Sequence, residues 1–191
     1  MKIGIDIDNT ITDTLPLLKE CCKKYNDEVV KRNLKMNEKG YISSNLYEWT
    51  KEEQQGFFQK YLDEIRRNVE LKPHAKEVIN KLKLEHEIYI VTARKNGTHK
   101  NPIEERKEYL DKKGILYDEI VADCEDKLAY CLEHKIDVMI DDAPDIIKTV
   151  SKKLPVIAIK GIMNEECEGE NLTKVEDWNE VYEVIKKMEE K

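Results

Sequence analysis

The order of the apolar segments limits the folds open to this chain. Residues 2–7 contain the run Ile3-Gly4-Ile5, which is apolar on both faces, as in a strand buried inside a parallel sheet. A long stretch with only helical periodicity follows, and beyond it helix and strand alternate to the end of the chain. The further predicted strands are 87–91, 119–122, 137–140 and 155–159. This order predicts an α/β fold, a parallel sheet flanked by helices with a helical insert after its first strand.

The same pattern predicts two parts of unequal size. Residues 1–14 and 73–191 should form the α/β core domain, and residues 15–72 a small helical cap inserted into it. Within the predicted insert, a helix over 15–34 and a second helix or helix pair over 49–69 flank a polar loop. A chain of 191 residues suits one domain with a modest insert.

Composition excludes several classes of protein. The net charge of −7 makes a nucleic-acid polymer an improbable partner, because such a partner requires a basic surface. No uncharged apolar run approaches the roughly 20 residues of a membrane span, so we expect no membrane association. The five cysteines are odd in number and lack CxxC spacing, which argues against disulfides and zinc and favours a reduced, cytoplasmic protein.

Polar side chains follow the predicted strands at the points where the strands end. Ligands of open parallel sheets bind beyond these carboxyl ends, so the residues there are the first candidates for a site. They are Asp6, Asp8 and Thr10 in the run DIDNT, Thr92 and Arg94 in VTAR, Asp141 and Asp142 after 137–140, and Lys127 at a helix start. Four separate segments therefore direct carboxylates, a hydroxyl and an ammonium to one edge of the sheet.

This combination of groups suits phosphoryl transfer. Clustered carboxylates resist ionising together unless a cation lies among them, and a few oxygen ligands favour Mg²⁺ shared with a substrate phosphate. A hydroxyl and an ammonium would hold the phosphoryl oxygens. One carboxylate can attack phosphorus, and a second carboxylate two residues later can protonate the leaving oxygen and then activate water.

In order and spacing, DIDNT, Thr92, Lys127 and the Asp141-Asp142 pair resemble the four motifs of the haloacid dehalogenase superfamily of phosphohydrolases. The resemblance covers nearly the whole chain and implies a Mg²⁺-dependent phosphomonoesterase with a Rossmann-like sheet. It implies the following roles: Asp6 as nucleophile and metal ligand, Asp8 as general acid and base with its carbonyl on the metal, Thr92 and Lys127 as phosphate holders, and Asp141 as the second metal carboxylate. Asp142 would support that carboxylate or share its role.

Within this superfamily, the runs VTAR, YLDKKGILYDEIV and MIDDAPDI are similar to the 5′(3′)-deoxyribonucleotidase, or type C nucleotidase, group. That similarity implies a nucleoside monophosphate as substrate and a small helical cap at the position of the insert. The residues after DIDNT, ITDTLPLL, include no aromatic residue, which leaves a sugar or other metabolite phosphate as the alternative substrate.

Other interpretations stay open on the sequence alone. A receiver-type phosphoacceptor domain also uses strand-end acids, a threonine and a lysine, but in receivers the lysine comes last, whereas Lys127 precedes Asp141. Arg94 could contact phosphate or pair with an acid. The aromatic residues of the predicted insert could stack on a base or form its core, and we favour the core; they are Tyr47, Trp49 and Phe57. Oligomeric state is left open.

Overall fold

A computed structural model describes residues 1–93, 102–122 and 124–190. Its strands are β1 Lys2–Ile5, β2 Glu87–Val91, β3 Glu119–Val121, β4 Val138–Ile140, β5 Val156–Ile159 and β6 Leu172–Val175. Its helices are α1 Thr14–Tyr25, α2 Ser43–Leu46, α3 Lys51–Asn68, α4 Ala75–Leu82, α5 Pro102–Lys113, α6 Lys127–His134, α7 Pro144–Val150 and α8 Trp178–Glu189. The chain divides into two compact units, Met1–Thr12 with Leu71–Lys191 (the α/β unit) and Asp13–Glu70 (the helical unit).

The α/β unit is built on one six-stranded sheet. Its strand order is β3-β2-β1-β4-β5-β6, and all five pairings are parallel. The predicted α/β fold with a parallel sheet and a helical insert after the first strand is therefore confirmed, and the structure adds β6, an edge strand that the sequence did not predict. Because β1 lies between β2 and β4, the segments that follow these three strands leave the sheet side by side.

Close packing around β1 fixes the register of the central strands. Ile5 is paired with Ile90 of β2 and Ile140 of β4, and all three side chains are fully buried. Gly4 lies so close to Met139 that a Cβ atom added to the glycine would be 2.7 Å from the Met139 sulfur. This register brings the carboxyl ends of β1, β2 and β4 level with one another.

Amphipathic helices cover the sheet. The apolar residues of α4 recur at helical spacing and are buried: Ala75, Val78, Ile79 and Leu82. The same holds for Trp178, Val181 and Ile185 of α8, which begins with the Asp177 carboxylate accepting from two backbone N–H groups. Burial of these apolar faces is the main contribution to the stability of such helices.

The helical unit has its own small core. α3 begins at a capping box, in which the Thr50 hydroxyl accepts from the Glu53 backbone and the Glu53 carboxylate accepts from the Thr50 backbone. α1 ends at Tyr25 and continues into a π-helical turn over Asn26–Val30, so helical structure stops a few residues before the predicted end near residue 34. That turn closes at Lys31, whose positive φ of 54° is incompatible with a continuing right-handed helix.

Candidate active site

The first and fourth strands bring two of the candidate carboxylates together. Directly after β1, the Asp6 backbone N–H donates to the Ile140 carbonyl at 3.0 Å. Directly after β4, the Asp141 backbone N–H donates to the Ile157 carbonyl at 3.1 Å. The parallel ladder thus continues through both aspartates, and their side chains emerge at the same edge of the sheet from adjacent strands.

Lys127 joins these two carboxylates. Its ammonium Nζ lies 2.6 Å from Asp6 Oδ1 and 2.7 Å from Asp141 Oδ2, and only 3% of the lysine is exposed. The lysine is the first residue of α6, which is capped by the Asp126 carboxylate accepting from the Ala129 N–H at 2.9 Å. The structure therefore brings together three residues that lie far apart in the sequence. In it the ammonium contacts two carboxylates, whereas the sequence predicts that it holds the substrate phosphate.

Asp142 completes the buried acidic cluster. Oxygens of Asp6, Asp141 and Asp142 all lie within 4.8 Å of one another, and each of the three residues is buried. The Thr10 hydroxyl donates to Asp142 Oδ1 at 3.2 Å. The second oxygen of Asp141 accepts from the Ala143 N–H at 3.0 Å, so neighbouring groups hold both acidic side chains after β4.

The electrostatics of the cluster are dominated by burial. Burial raises the pKa of Asp6 to about 7; the Lys127 ammonium opposes that rise, and the carboxylates of Asp141 and Asp8 add to it. Burial, with the Asp6 and Asp141 carboxylates, also raises the pKa of Asp142 well above its usual range. Burial by itself would lower the pKa of Lys127, but the carboxylates of Asp6 and Asp141 outweigh it and raise that pKa. One ammonium is too little positive charge for three buried carboxylates.

A divalent cation fits this arrangement. The donor set consists of carboxylate oxygens gathered within 4.8 Å, and hard oxygen donors in small number suit Mg²⁺ better than a softer metal. A cation would also supply the positive charge that the buried cluster lacks. On the described residues, Asp6 and Asp141 are the carboxylates placed to hold it, with Asp142 beside them.

Asp8 lies on an unusual turn after β1. The Thr12 N–H donates to the Ile7 carbonyl at 2.9 Å across five residues, and within this turn Asn9 has a positive φ of 55°. A left-handed residue is uncommon outside glycine, although asparagine adopts it more readily than most residues. The wide turn ends the strand at Ile5 rather than at residue 7, and Asp8 is half-buried on it.

Thr92 occupies the corresponding place after β2. It is 1% exposed; its backbone N–H donates to the Val121 carbonyl at 3.0 Å and its carbonyl accepts from the Cys124 N–H at 3.1 Å. The threonine is thus fixed at the carboxyl edge, on the strand next to β1. Arg94 and the following loop over 95–100 lie outside the described residues.

Two buried side chains that sequence reasoning missed lie against this edge. The Trp178 indole Nε1 donates to the Thr10 carbonyl at 3.0 Å, and Asn164 donates from Nδ2 to the Asp142 carbonyl at 3.1 Å. Neither residue belongs to a recognisable motif. The only signal available was position, since Asn164 follows β5, the strand next to β4.

The aromatic residues of the helical unit pack on one another. The rings of Tyr47 and Trp49 are stacked with centroids 5.2 Å apart, and Phe57 lies 5.3 Å from Trp49 and is fully buried. The Trp49 indole N–H donates to Asn26 Oδ1 at 3.2 Å. These contacts make the three aromatic residues part of the core of this unit, which is the favoured interpretation of the sequence.

The parallel sheet, the insert after β1 and the strand-end acids with their lysine together define a hydrolase of the haloacid dehalogenase superfamily. The model of the family described as 5′ nucleotidase, deoxy (pyrimidine), cytosolic type C protein matches residues 1–190, and the chain belongs to this family. It is therefore a phosphatase of the nucleotidase kind, an enzyme that hydrolyses phosphoric monoester bonds.

Individual relatives agree with this assignment. A nucleotidase of Clostridium acetobutylicum is 26% identical over 193 residues, which cover 100% of this chain and 96% of the relative. A haloacid dehalogenase-like hydrolase of Streptococcus pneumoniae has a TM-score of 0.67 at 14% identity, covering 96% of this chain and 97% of its own. A haloacid dehalogenase-like hydrolase of Xanthomonas campestris has a TM-score of 0.62 at 11% identity, covering 98% and 95%. At these low identities, the structural likeness shows the fold alone.

Within residues 1–93, 102–122 and 124–190, no helix is both long and apolar enough to cross a bilayer.

Proposed function

We propose that the chain is a Mg²⁺-dependent nucleotidase that hydrolyses a nucleoside monophosphate through an aspartyl-phosphate on Asp6. The observation that carries the proposal is the contact of one buried ammonium, Lys127 Nζ, with Asp6 at 2.6 Å and Asp141 at 2.7 Å. It joins a candidate nucleophile, a candidate metal ligand and a candidate phosphate holder at the carboxyl edge of the sheet. Family membership supports the same chemistry.

In the first half-reaction, an Asp6 carboxylate oxygen attacks the phosphorus of the substrate. A bond forms between that oxygen and phosphorus while the ester P–O bond breaks, and the carboxyl group of Asp8 gives its proton to the leaving oxygen. Position supports this division of roles, because Asp6 is buried at the strand end whereas Asp8 is half-buried on the wide turn. The products are the free nucleoside and a phosphorylated Asp6.

In the second half-reaction, water attacks the phosphorus of the aspartyl-phosphate. The Asp8 carboxylate takes a proton from this water, the acyl phosphate P–O bond breaks, and inorganic phosphate leaves with Asp6 restored as a carboxylate. Both residues therefore end each cycle in their starting states. No oxidant or second substrate is needed.

Charge stabilisation in both steps falls to the groups around Asp6. Lys127 lies in hydrogen-bond contact with Asp6, so a phosphoryl group attached to that carboxylate comes within reach of the same ammonium. The Thr92 hydroxyl is proposed to hold a phosphoryl oxygen from the neighbouring strand. When Mg²⁺ is bound by Asp6, the Asp8 carbonyl and Asp141, it supplies positive charge to the transferring phosphoryl group.

Selection of the substrate is proposed to fall to the helical unit, which the chain inserts directly after the DIDNT segment. A nucleoside monophosphate is favoured over a sugar phosphate because the chain belongs to a nucleotidase family. A cytoplasmic location is also proposed, since all five cysteines are buried and unpaired, as expected in a reducing compartment.

The test is a phosphate-release screen of the full chain with ribo- and deoxyribonucleoside monophosphates, as 5′ and 3′ esters, beside sugar phosphates. We expect turnover of nucleoside monophosphates with Mg²⁺ and none with excess chelator. Asp6→Asn should lower kcat by at least about 10³-fold, as removal of a nucleophile typically does. Acid-quenched wild-type enzyme should carry phosphate on the peptide that contains Asp6.

The matched control is Asp137→Asn. Asp137 is an aspartate at the opposite end of β4, where its carboxylate accepts from the Lys2 N–H at 2.7 Å, and its variant should keep full activity. Turnover of sugar phosphates alone would agree with phosphatase activity but would contradict the proposal that the substrate is a nucleoside monophosphate. Full activity in chelator, or in Asp6→Asn, would overturn the mechanism.

A further inference from the structure

Asn164 is a buried amide that no part of the proposed reaction uses. It is 0% exposed, and it lies in the turn that follows β5, the strand beside β4. A buried amide must find partners for both of its ends, since leaving a donor or acceptor unpaired costs about 1–3 kcal/mol. The side chain of Asn164 therefore needs hydrogen-bond partners within the protein.

All of its partners are backbone groups around the acidic edge. Nδ2 donates to the Asp142 carbonyl and to the Ile159 carbonyl, each at 3.1 Å, and Oδ1 accepts from the Gly161 N–H at 3.1 Å. The last two contacts fold the turn after β5 onto itself. The first contact reaches out of the turn to the main chain of the acidic pair after β4.

Asp142 is consequently held from two sides. Its carbonyl accepts from Asn164, and its carboxylate accepts from the Thr10 hydroxyl at 3.2 Å. The same β5 turn also contacts the loop after β1, where Asn9 Nδ2 lies 3.9 Å from the Met163 sulfur. The turn over 161–164 thus touches both loops that supply the clustered carboxylates.

We infer that Asn164 is a positioning residue that holds the main chain of Asp142 and thereby keeps the Asp141-Asp142 carboxylates in the orientation that binds the cation. This inference rests on the proposed function. Its physical basis is that hydrogen-bond partners behind metal ligands commonly fix their orientation, and here a fully buried amide holds the main chain of the acidic pair. Such outer partners are typically worth about 10- to 100-fold in metal affinity.

The test measures Mg²⁺ binding by isothermal titration calorimetry on the full chain without substrate. Asn164→Ala should weaken Mg²⁺ binding by about 10- to 100-fold. Asn164→Asp should weaken it more, because the oxygen that replaces Nδ2 faces two carbonyl oxygens. In turnover assays, saturating Mg²⁺ should restore most of kcat in Asn164→Ala, which a general loss of structure would not allow.

Asn171→Ala is the matched control. Asn171 also follows β5 and donates from Nδ2 to a carbonyl, that of Ser151, at 2.7 Å, but among the described residues no hydrogen bond joins it to the acidic loops. Its loss should lower stability in urea without changing Mg²⁺ affinity. If Asn164→Ala does not fold, Asn164→Ser replaces it, because serine keeps one hydroxyl donor. We expect this variant to lose Mg²⁺ affinity as well, but by a smaller factor.

The outcomes separate the two proposals. Wild-type chain that binds no Mg²⁺ would overturn the proposed function itself. Wild-type chain that binds Mg²⁺, with equal affinity in the folded Asn164 variants, would overturn the positioning role and leave the proposed function intact. An equal loss of affinity in Asn171→Ala would also overturn it, because the effect would then be general to this connection.

Discussion

The two units of the chain differ in what they bury. In the helical unit, the buried polar residues are Asn26 and Ser43, both uncharged, and the core is a cluster of aromatic rings around Phe57. In the α/β unit, the buried residues include Lys127 and the acidic cluster with Asp6. Its apolar core is mostly aliphatic and sulfur-containing.

This difference indicates that the core of the helical unit contributes to stability, whereas the buried charged residues of the α/β unit are suited to chemistry. Buried charge costs folding free energy unless it is compensated, so a chain keeps it where a ligand or a reaction needs it. An aromatic core has no such cost and adds packing energy. The comparison therefore places the buried carboxylates and their ammonium in the α/β unit, and a core of packed aromatic rings in the helical unit.

The largest effect on stability is expected from Phe57→Ala. The ring is fully buried and lies within 5.7 Å of the rings of Tyr25, Trp49 and Tyr61. Its removal should lower the free energy of unfolding by about 3–5 kcal/mol in a urea titration. The folded variant should keep wild-type Mg²⁺ affinity, because the clustered carboxylates lie in the other unit.

Phe58→Ala is the control for that prediction. Phe58 is 40% exposed and its ring lies 5.6 Å from that of Phe57, so its loss should lower stability by only about 0.5–1.5 kcal/mol. If the folded Phe57→Ala chain lost Mg²⁺ binding, the separation of stability from cation binding between the two units would be wrong.

A smaller effect is expected from the cation itself. Mg²⁺ that binds the folded chain alone should stabilise it by about 2.7 kcal/mol at 100 times its Kd, seen as a rise in Tm. Asp141→Asn should remove most of that rise, since it deletes a buried carboxylate of the cluster. Asp137→Asn, at the opposite end of the same strand, should retain the rise in Tm. A Tm of the wild-type chain that does not change when Mg²⁺ is added would contradict the buried cation site.

The smallest effect concerns a titratable group of the α/β unit, His86, which is distant in sequence from the acidic cluster. His86 is buried; its Nδ1 lies 3.4 Å from the Met1 amino group and its Nε2 lies 3.4 Å from Glu189, with Glu85 and Lys186 also facing it. Burial, together with the Met1 amino group, lowers the pKa of His86 below its usual value, although Glu189 and Glu85 oppose this.

The sign of the resulting pH dependence follows from proton binding. The unfolded chain binds a proton at His86 more readily than the folded chain does. The contribution of neutral His86 to the free energy of unfolding is therefore fully present above about pH 6.5. It is lost as the pH falls from there through the folded pKa. Urea titrations from about pH 5 to pH 8 should show this loss in the wild-type chain, and His86→Gln should reduce it. An unchanged slope in the variant would contradict the argument.

Much of the fold could be predicted from the periodicity of apolar residues and from the positions of the strand ends. β2 begins and ends where the pattern EIYIV predicts, and the carboxyl edge of β1, β2 and β4 holds the acids and Thr92 as expected. These features are local, because a strand buried on both faces requires an apolar run. β6 was missed because its residues Leu-Thr-Lys-Val form a short edge strand in which Thr173 is exposed and Lys174 is half-buried.

The contacts of Asn164 show what the local pattern could not supply. A lone asparagine in a turn has no spacing to recognise, and the carbonyl to which it donates lies 22 residues away in the chain. The early end of β1, and the end of the helical segment that continues α1, had the same origin, since each lies at a wide turn of five residues. Such turns depend on single positive φ angles at Asn9 and Lys31, which residue type favours only weakly.

The sequence by itself determined the class of fold, the strand ends at which chemistry could occur and the types of residue placed there, because burial and hydrogen bonding impose their periods on neighbouring residues. Only the tertiary structure decided that one ammonium contacts Asp6 and Asp141, that Asp142 joins their cluster, and that Asn164 donates to the Asp142 carbonyl. These relations depend on strand order, which brings β1 and β4 side by side although a whole helical unit and two strands separate them in the chain.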